Sequence, residues 1–478
     1  MLSKSKFFFS KNLFVLNTLA QTRISNFSIA SKRPARFTQV FHNLTTKRCV
    51  VTTPAVAKRS FSQMVADAGK TQVVRADPVI SKSTVGYWLL GTSGLVFGIV
   101  VLGGLTRLTE SGLSITEWKP VTGAIPPLSQ EDWEIEFAKY KDSPEFKQLN
   151  SHITLDEFKF IFSMEWGHRL VGRCIGMFFV LPAIYFWRTR KFGRHVSKRV
   201  IGLTGLLGLQ GAIGWWMVKS GLDEEALSER QSKPTVSQYR LTTHLGAAFL
   251  MYLGVLWTAF EILNENSWTK KISTKSSIEA TTKLLAQLNS PAIRKVRNLG
   301  TALLCLTFVT AMSGGMVAGL DAGLIYNTFP HMGDEYVPSY GELMSPVFAR
   351  KDDLSDLWWR NILENPTTVQ LVHRIFATTT FFSILGAHFF VNRNKAIIPR
   401  PAVKAMHGVM GLASLQVALG ISTLIYLVPI PLAAAHQAGA LALLTGCLAF
   451  SARLKKPRPE VMAYINKMMK DQLLKTKA

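Results

Sequence analysis

Long apolar runs separated by charged connections organise the chain from residue 83 onward. Residues 83–106, 200–218, 241–260, 298–320 and 375–392 each lack Asp, Glu, Lys and Arg. A helix of about 20 such residues crosses ~30 Å of hydrocarbon. Residues 405–452 form an uncharged stretch of 48, too long for a single crossing. Val428-Pro429-Ile430-Pro431 divides it into two spans, because proline cannot continue a helix. The remaining span, about 161–187, carries Glu165, Arg169 and Arg173; it is retained because 369–391 holds the same His-Arg pair. The pattern predicts an all-α polytopic membrane protein with eight transmembrane helices.

The spans repeat. Gly103-Gly104 and Gly112-Leu113 return as Gly314-Gly315 and Gly323-Leu324, 211 residues later. His168 returns as His373 after 205 residues, Leu209-Gln210 as Leu415-Gln416 after 206, and His244 as His436 after 192. Equivalent spans separated by an even number of crossings keep one orientation, so the halves are expected to be pseudo-symmetric parallel-repeat four-helix bundles. The organisation expected is a leader at 1–60, an amino-terminal half at 61–262, a linker at 263–296, a carboxy-terminal half at 297–453 and a basic tail at 454–478.

Charge then sets orientation and removes one reading. The net charge of +25 suggests nucleic acid, but 48% of residues are hydrophobic, 18% are charged and mean hydropathy is +0.18. That composition suits lipid. Residues 1–60 hold eleven Lys or Arg, and no Asp or Glu occurs before Asp67. Basic, Ser-rich and acid-free, they read as a mitochondrial transit peptide, with processing near Arg59-Ser60-Phe61-Ser62; a disordered basic tail is the alternative. Connection 188–199 has six basic residues and no acid, and the tail 453–478 has eight against two; loop 107–159 has six against ten, and 321–366 three against eight. Basic connections stay on the uptake side, so both termini are expected in the matrix and the acidic loops across the inner membrane. Cys49, Cys174, Cys305 and Cys447 show no metal or disulfide spacing and read as small buried hydrophobes.

Against this frame His168, His244, His373 and His436 fall near one end of spans two, four, six and eight. A lone histidine on a buried helix is usually structural. Four at repeated positions favour two bis-histidine haem sites, since facing helices can sandwich a flat macrocycle between axial imidazoles. A di-metal centre would need accompanying carboxylates, which are missing. His152, His195, His331, His388 and His407 have no such repeat partners and stay unassigned. The glycine pairs bring a macrocycle close to the backbone or serve helix packing. Arg169 and Arg374 contact haem propionates or fix loops. The repeat breaks at one place: Glu165 precedes His168 by three residues, whereas Gln370 precedes His373. Residues at i and i+3 share a helix face, so Glu165 is a candidate proton acceptor or cation stabiliser beside the first pair. An ion pair with Arg169, at i+4, is the alternative.

Glu165-Trp166-Gly167-His168-Arg169, His373-Arg374, His244, His436 and the glycine-rich span ends resemble the heme A synthase family, mitochondrial type, over residues 83–453. The resemblance implies an oxidoreductase converting the C8 methyl of heme O to the formyl group of heme A for cytochrome c oxidase. It implies haem B as cofactor on His373 and His436, His168 and His244 as the substrate-half histidines, and Glu165 as the essential acid. Loop 107–159 lacks the cysteine pair of many bacterial members. Implied partners are inner-membrane lipid, an electron-transfer partner, the heme O-producing enzyme and cytochrome c oxidase assembly factors; homo-oligomerisation stays open. The rival readings are a b-type di-haem electron carrier and a haem chaperone without chemistry.

Overall fold

The computed structural model describes residues 78–229, 232–272 and 275–475. The expected leader, 1–60, lies outside them. Eight helices among the described residues are long and apolar enough to cross a membrane. They are α1 (Ser83–Leu108), α3 (Leu155–Arg188), α4 (Arg194–Leu222), α5 (Gln238–Lys270), α7 (Pro291–Gly319), α9 (Pro366–Arg393), α10 (Arg400–Ile425) and α11 (Ile430–Arg453). Shorter helices α2 (Gln130–Lys141), α6 (Lys275–Asn289), α8 (Leu357–Glu364) and α12 (Pro459–Lys475) lie between or after them. The chain is thus a helical multi-pass membrane protein.

Local sequence sets most of the helix ends. Thr154 and Glu157 form a reciprocal capping box that starts α3, six residues before the apolar run begins. Proline opens α7, α9, α10 and α11, where a missing N–H costs nothing. Arg107, Arg188, Arg393 and Arg453 sit in last turns, favourable against the helix dipole. Between α10 and α11 the chain reverses through Leu427 (φ 64°) and Val428 (φ 56°), left-handed conformations that cost a non-glycine residue energy. The break expected at Val428-Pro429 is therefore a tight turn.

Helices α1, α3, α4 and α5 close one ring of contacts, and α7, α9, α10 and α11 close another in the same order. The rings meet where α5 packs on α7, α11 on α1, and α5 on α11. Val96, Val100, Phe249, Leu256, Leu441 and Leu444 form a buried cluster across this seam. Tyr252 and Thr445 share a 2.7 Å hydrogen bond within it. Large apolar side chains such as Leu181, Ile201, Phe382 and Phe389 stay exposed on the outside, as lipid contact requires.

The connecting segments are more ordered than loop charge alone suggested. In loop 109–154, Phe137 and Tyr140 of α2 stack on Phe158 of α3 at 4.9 and 5.3 Å, folding a cap onto one end of the first ring. At the other end α5 runs on to Lys270, and α6 follows it, so the expected linker is mostly helix. Ile278 and Leu285 of α6 bury against Val461 and Ile465 of α12. The basic tail is thus the second half of a helical layer. Glu261 and Glu265 of α5, both buried, join this end to the chain after α11: Glu261 pairs with Arg199 at 3.0 Å and with Lys455, and Glu265 with Arg458 at 2.9 Å.

Candidate functional site

Each of the four repeated histidines rests against a glycine on the neighbouring helix of its own ring. A Cβ on Gly103 of α1 would lie 3.0 Å from His168 Nε2 on α3, and one on Gly314 of α7 would lie 3.2 Å from His373 Cε1 on α9. The other two pairs were not expected. A Cβ on Gly214 of α4 would come within 3.1 Å of His244 Cε1, and one on Gly420 of α10 within 2.8 Å of His436 Cε1. The signal was present: Gly214 and Gly420 each follow a repeated glutamine, Gln210 or Gln416, by four residues. All four rings are half-buried. Neighbouring Gly104 and Gly315 face the opposite ring instead: a Cβ on Gly104 would overlap Gln437 of α11, and one on Gly315 would meet Thr242 of α5. One glycine of each pair seats a histidine and the other lets the rings approach.

The histidines differ in what holds them. His373 Nδ1 lies 2.8 Å from Ser313 Oγ, which also stands 2.7 Å from the Thr310 carbonyl. Gln416 donates to the His436 carbonyl at 2.9 Å and stands 3.1 Å from its Nδ1. In the first ring Gln210 makes the matching bond to the His244 carbonyl at 3.0 Å, but His244 Nδ1 is buried without a partner. His168 has no side-chain hydrogen bond among the described residues.

Glu165 is buried, and its oxygens accept three hydrogen bonds. Ser114 Oγ (2.7 Å) and the Ile115 N–H (2.8 Å) donate to Oε2; Arg169 Nη2 (2.7 Å) donates to Oε1. The ion pair with Arg169 is therefore formed, and the carboxylate also grips the loop after α1. Gln370 meets the opposite demand. Its amide donates to the Ala322 and Tyr326 carbonyls at 2.8 and 3.1 Å, and its oxygen accepts from Arg374 at 3.3 Å. Three donors require a carboxylate; two acceptors and one donor require an amide. This break in the repeat is matched by the partners in the loops.

Arg169 and Arg374 both make the loop contacts expected of them. Arg169 donates to the carbonyls of Ile115 (3.0 Å) and Glu117 (3.1 Å). Arg374 donates to those of Thr328 (2.9 Å) and His331 (3.0 Å). Each follows its histidine by one residue and so points about 100° away from it, toward the loop. Arg173 adds the Lys119 and Pro120 carbonyls, at 2.8 and 2.9 Å. Among the other histidines, His195 pairs with Glu261 at 3.3 Å, His388 and His407 touch each other at 2.8 Å, and His331 stacks on Tyr336. None joins the four.

The donor set fits a haem better than a bare ion. Among the described residues no group of three or more His, Cys, Asp or Glu could hold a metal ion. Each ring instead offers two imidazoles, which would serve as the protein ligands of a haem iron. The buried, partnerless Nδ1 of His244 and the glycine floor under each ring agree with that use.

Fold and site define a class: a helical membrane protein in which two four-helix rings each carry two glycine-seated histidines. The COX15-CtaA family model, described as cytochrome oxidase assembly protein, matches residues 86–448, and the chain belongs to that family. It is 62% identical over 378 residues to the heme A synthase COX15 of Saccharomyces cerevisiae, covering 79% of this chain and 76% of that protein. The human heme A synthase COX15 is 45% identical over 368 residues, 77% of this chain and 82% of the human protein. A Schizosaccharomyces pombe heme A synthase-mitochondrial ferredoxin fusion protein is 52% identical over 379 residues; the match takes in 78% of this chain and 60% of the fusion.

Proposed function

We propose that the chain is a heme A synthase, an oxidoreductase that oxidises the C8 methyl of heme O to a formyl group and so supplies heme A for cytochrome c oxidase. The observation that carries this reading is the doubled seat: four histidines, each on a glycine, in two rings of a chain of this family. His168 and His244 receive heme O as substrate. His373 and His436 hold haem B as resident cofactor, and haem B, when bound there, supplies a one-electron redox centre. Repeated halves are supported by the constant sequence offsets and by the matching order of contacts within each ring. Charge distribution supports the inner mitochondrial membrane, with both termini in the matrix and the histidines toward the intermembrane space.

Glu165 is assigned two tasks. Its Oε2 holds Ser114 and Ile115 over the first ring, and the same carboxylate lies on the helix face of His168, placed to accept a proton released as the methyl group is oxidised. Seam residues from Val96 to Leu444 keep water out between the rings. The electron partner is read as ferredoxin-like, because the fission-yeast relative is named for heme A synthase joined to mitochondrial ferredoxin.

Identifying the haems extracted from purified full-length protein tests the function. Heme O with hydroxylated or formylated derivatives beside haem B is expected. Haem B alone, equally in both rings, would replace this reading with a b-type electron carrier, and heme O bound but never oxidised would replace it with a chaperone.

A further inference from the structure

The two rings differ on the residue just before the histidine-seating glycine: Leu102 precedes Gly103, and Ser313 precedes Gly314. Ser313 Oγ lies 2.7 Å from the Thr310 carbonyl and 2.8 Å from His373 Nδ1. When its hydrogen goes to the carbonyl, which can only accept, Oγ accepts from Nδ1–H and the Nε2 lone pair is left free. Leu102 can do none of this, and His168 has no hydrogen-bond partner among the described residues. The fourth helices repeat the contrast. The Gln416 side-chain amide stands 3.1 Å from His436 Nδ1, whereas His244 Nδ1 is buried without a partner.

We infer that Ser313 is a positioning residue that holds the ring of His373 for a resident haem, and that Leu102 leaves His168 without such a hydrogen-bonded hold, as a site that must take in and release its haem requires. The inference rests on the division into cofactor and substrate halves proposed above. Its physical basis is general: a ligating imidazole usually gives its second N–H to an acceptor, which fixes the ring and makes it a stronger donor to the metal.

The test uses full-length, haem-loaded protein and two readouts besides turnover: the haem B midpoint potential, and the rate of haem B loss to excess apomyoglobin. Ser313→Ala should lose haem B ~10–100-fold faster, the usual cost of removing such a partner. Its potential should rise, because a less basic imidazole stabilises the oxidised iron less. Ser313→Thr keeps the hydroxyl and should restore both values. Leu102→Ser should slow release of heme O from the first ring. Unchanged haem loss and potential in Ser313→Ala would overturn the assignment. If that variant does not accumulate, Ser313→Cys, with a weaker acceptor, should shift both readouts the same way, and no shift in it is equally fatal. Failure of the underlying reading looks different: haem B would then survive His373→Ala with an unaltered spectrum.

Discussion

Glu165 shows how much one side chain can be asked to do. Because three donors surround its carboxylate, Glu165→Gln places an amide N–H₂ against at least one of them. That substitution loosens the loop as well as removing the base, so a second variant must separate the effects. Arg169→Gln breaks the same ion pair but keeps the carboxylate. If Glu165 takes a proton, heme A formed per folded, haem-loaded molecule should fall ~10²–10⁴-fold in Glu165→Gln and far less in Arg169→Gln. Equal losses would reduce Glu165 to an anchor. Gln370→Glu tests the mirror position: a carboxylate facing the Ala322 and Tyr326 carbonyls should cost ~1–3 kcal/mol or more, read as a lower melting temperature, without creating activity in the second ring. Glu145, in the cap, is held by Tyr140 at 3.0 Å, and burial pushes its pKa from 4.5 to about 8. It stays protonated in the folded cap where the unfolded segment would already be ionised. Cap stability should therefore fall as pH rises from 4.5 toward 8 and level off above that, and Glu145→Gln should flatten the trend in protease resistance of loop 109–154.

At the scale of elements, the eight spans were legible because length and charge are one-dimensional signals. Residues sharing a helix face are not. From sequence, Glu165 reaches His168 at i+3 and Arg169 at i+4 equally well, and only the folded loop shows that Ser114 and Ile115 also claim it. Gly214, Gly420 and Ser313 escaped notice because the repeat was read through identities, whereas Ser313 matters by facing a leucine in the copy. Helix α12 was legible but unread: Val461, Ile465 and Met468 fall on one face. The glycine seats carry their own prediction. Gly420→Ala would drive a methyl to within 2.8 Å of the His436 ring, and it should deplete haem B. Gly214→Ala, against His244, should spare haem B and lower heme O conversion. Haem B content that is the same in both variants would contradict the assignment of rings.

For the whole molecule, the rings are joined at both ends as well as along the seam. Asp321, beyond α7, takes Arg107 of α1 at 2.8 Å and Lys233 at 2.9 Å; at the opposite end Arg458 reaches Glu265 across the chain. Arg458→Ala would strand a buried carboxylate at a cost of up to ~3 kcal/mol, which should appear as earlier thermal unfolding and easier proteolysis of α12. The adjacent glycines of α1 have a mechanical meaning as well. Successive residues point about 100° apart, so Gly103 and Gly104 meet the His168 ring and Gln437 on different sides of one helix. Turning α1 about its axis to relax either contact would drive backbone into the other, and α7 is pinned in the same way by His373 and Thr242. The paired contacts therefore resist rotation of either span about its axis. A signal between the rings of a haem-loaded protein would travel more easily as sliding or tilting of intact helices.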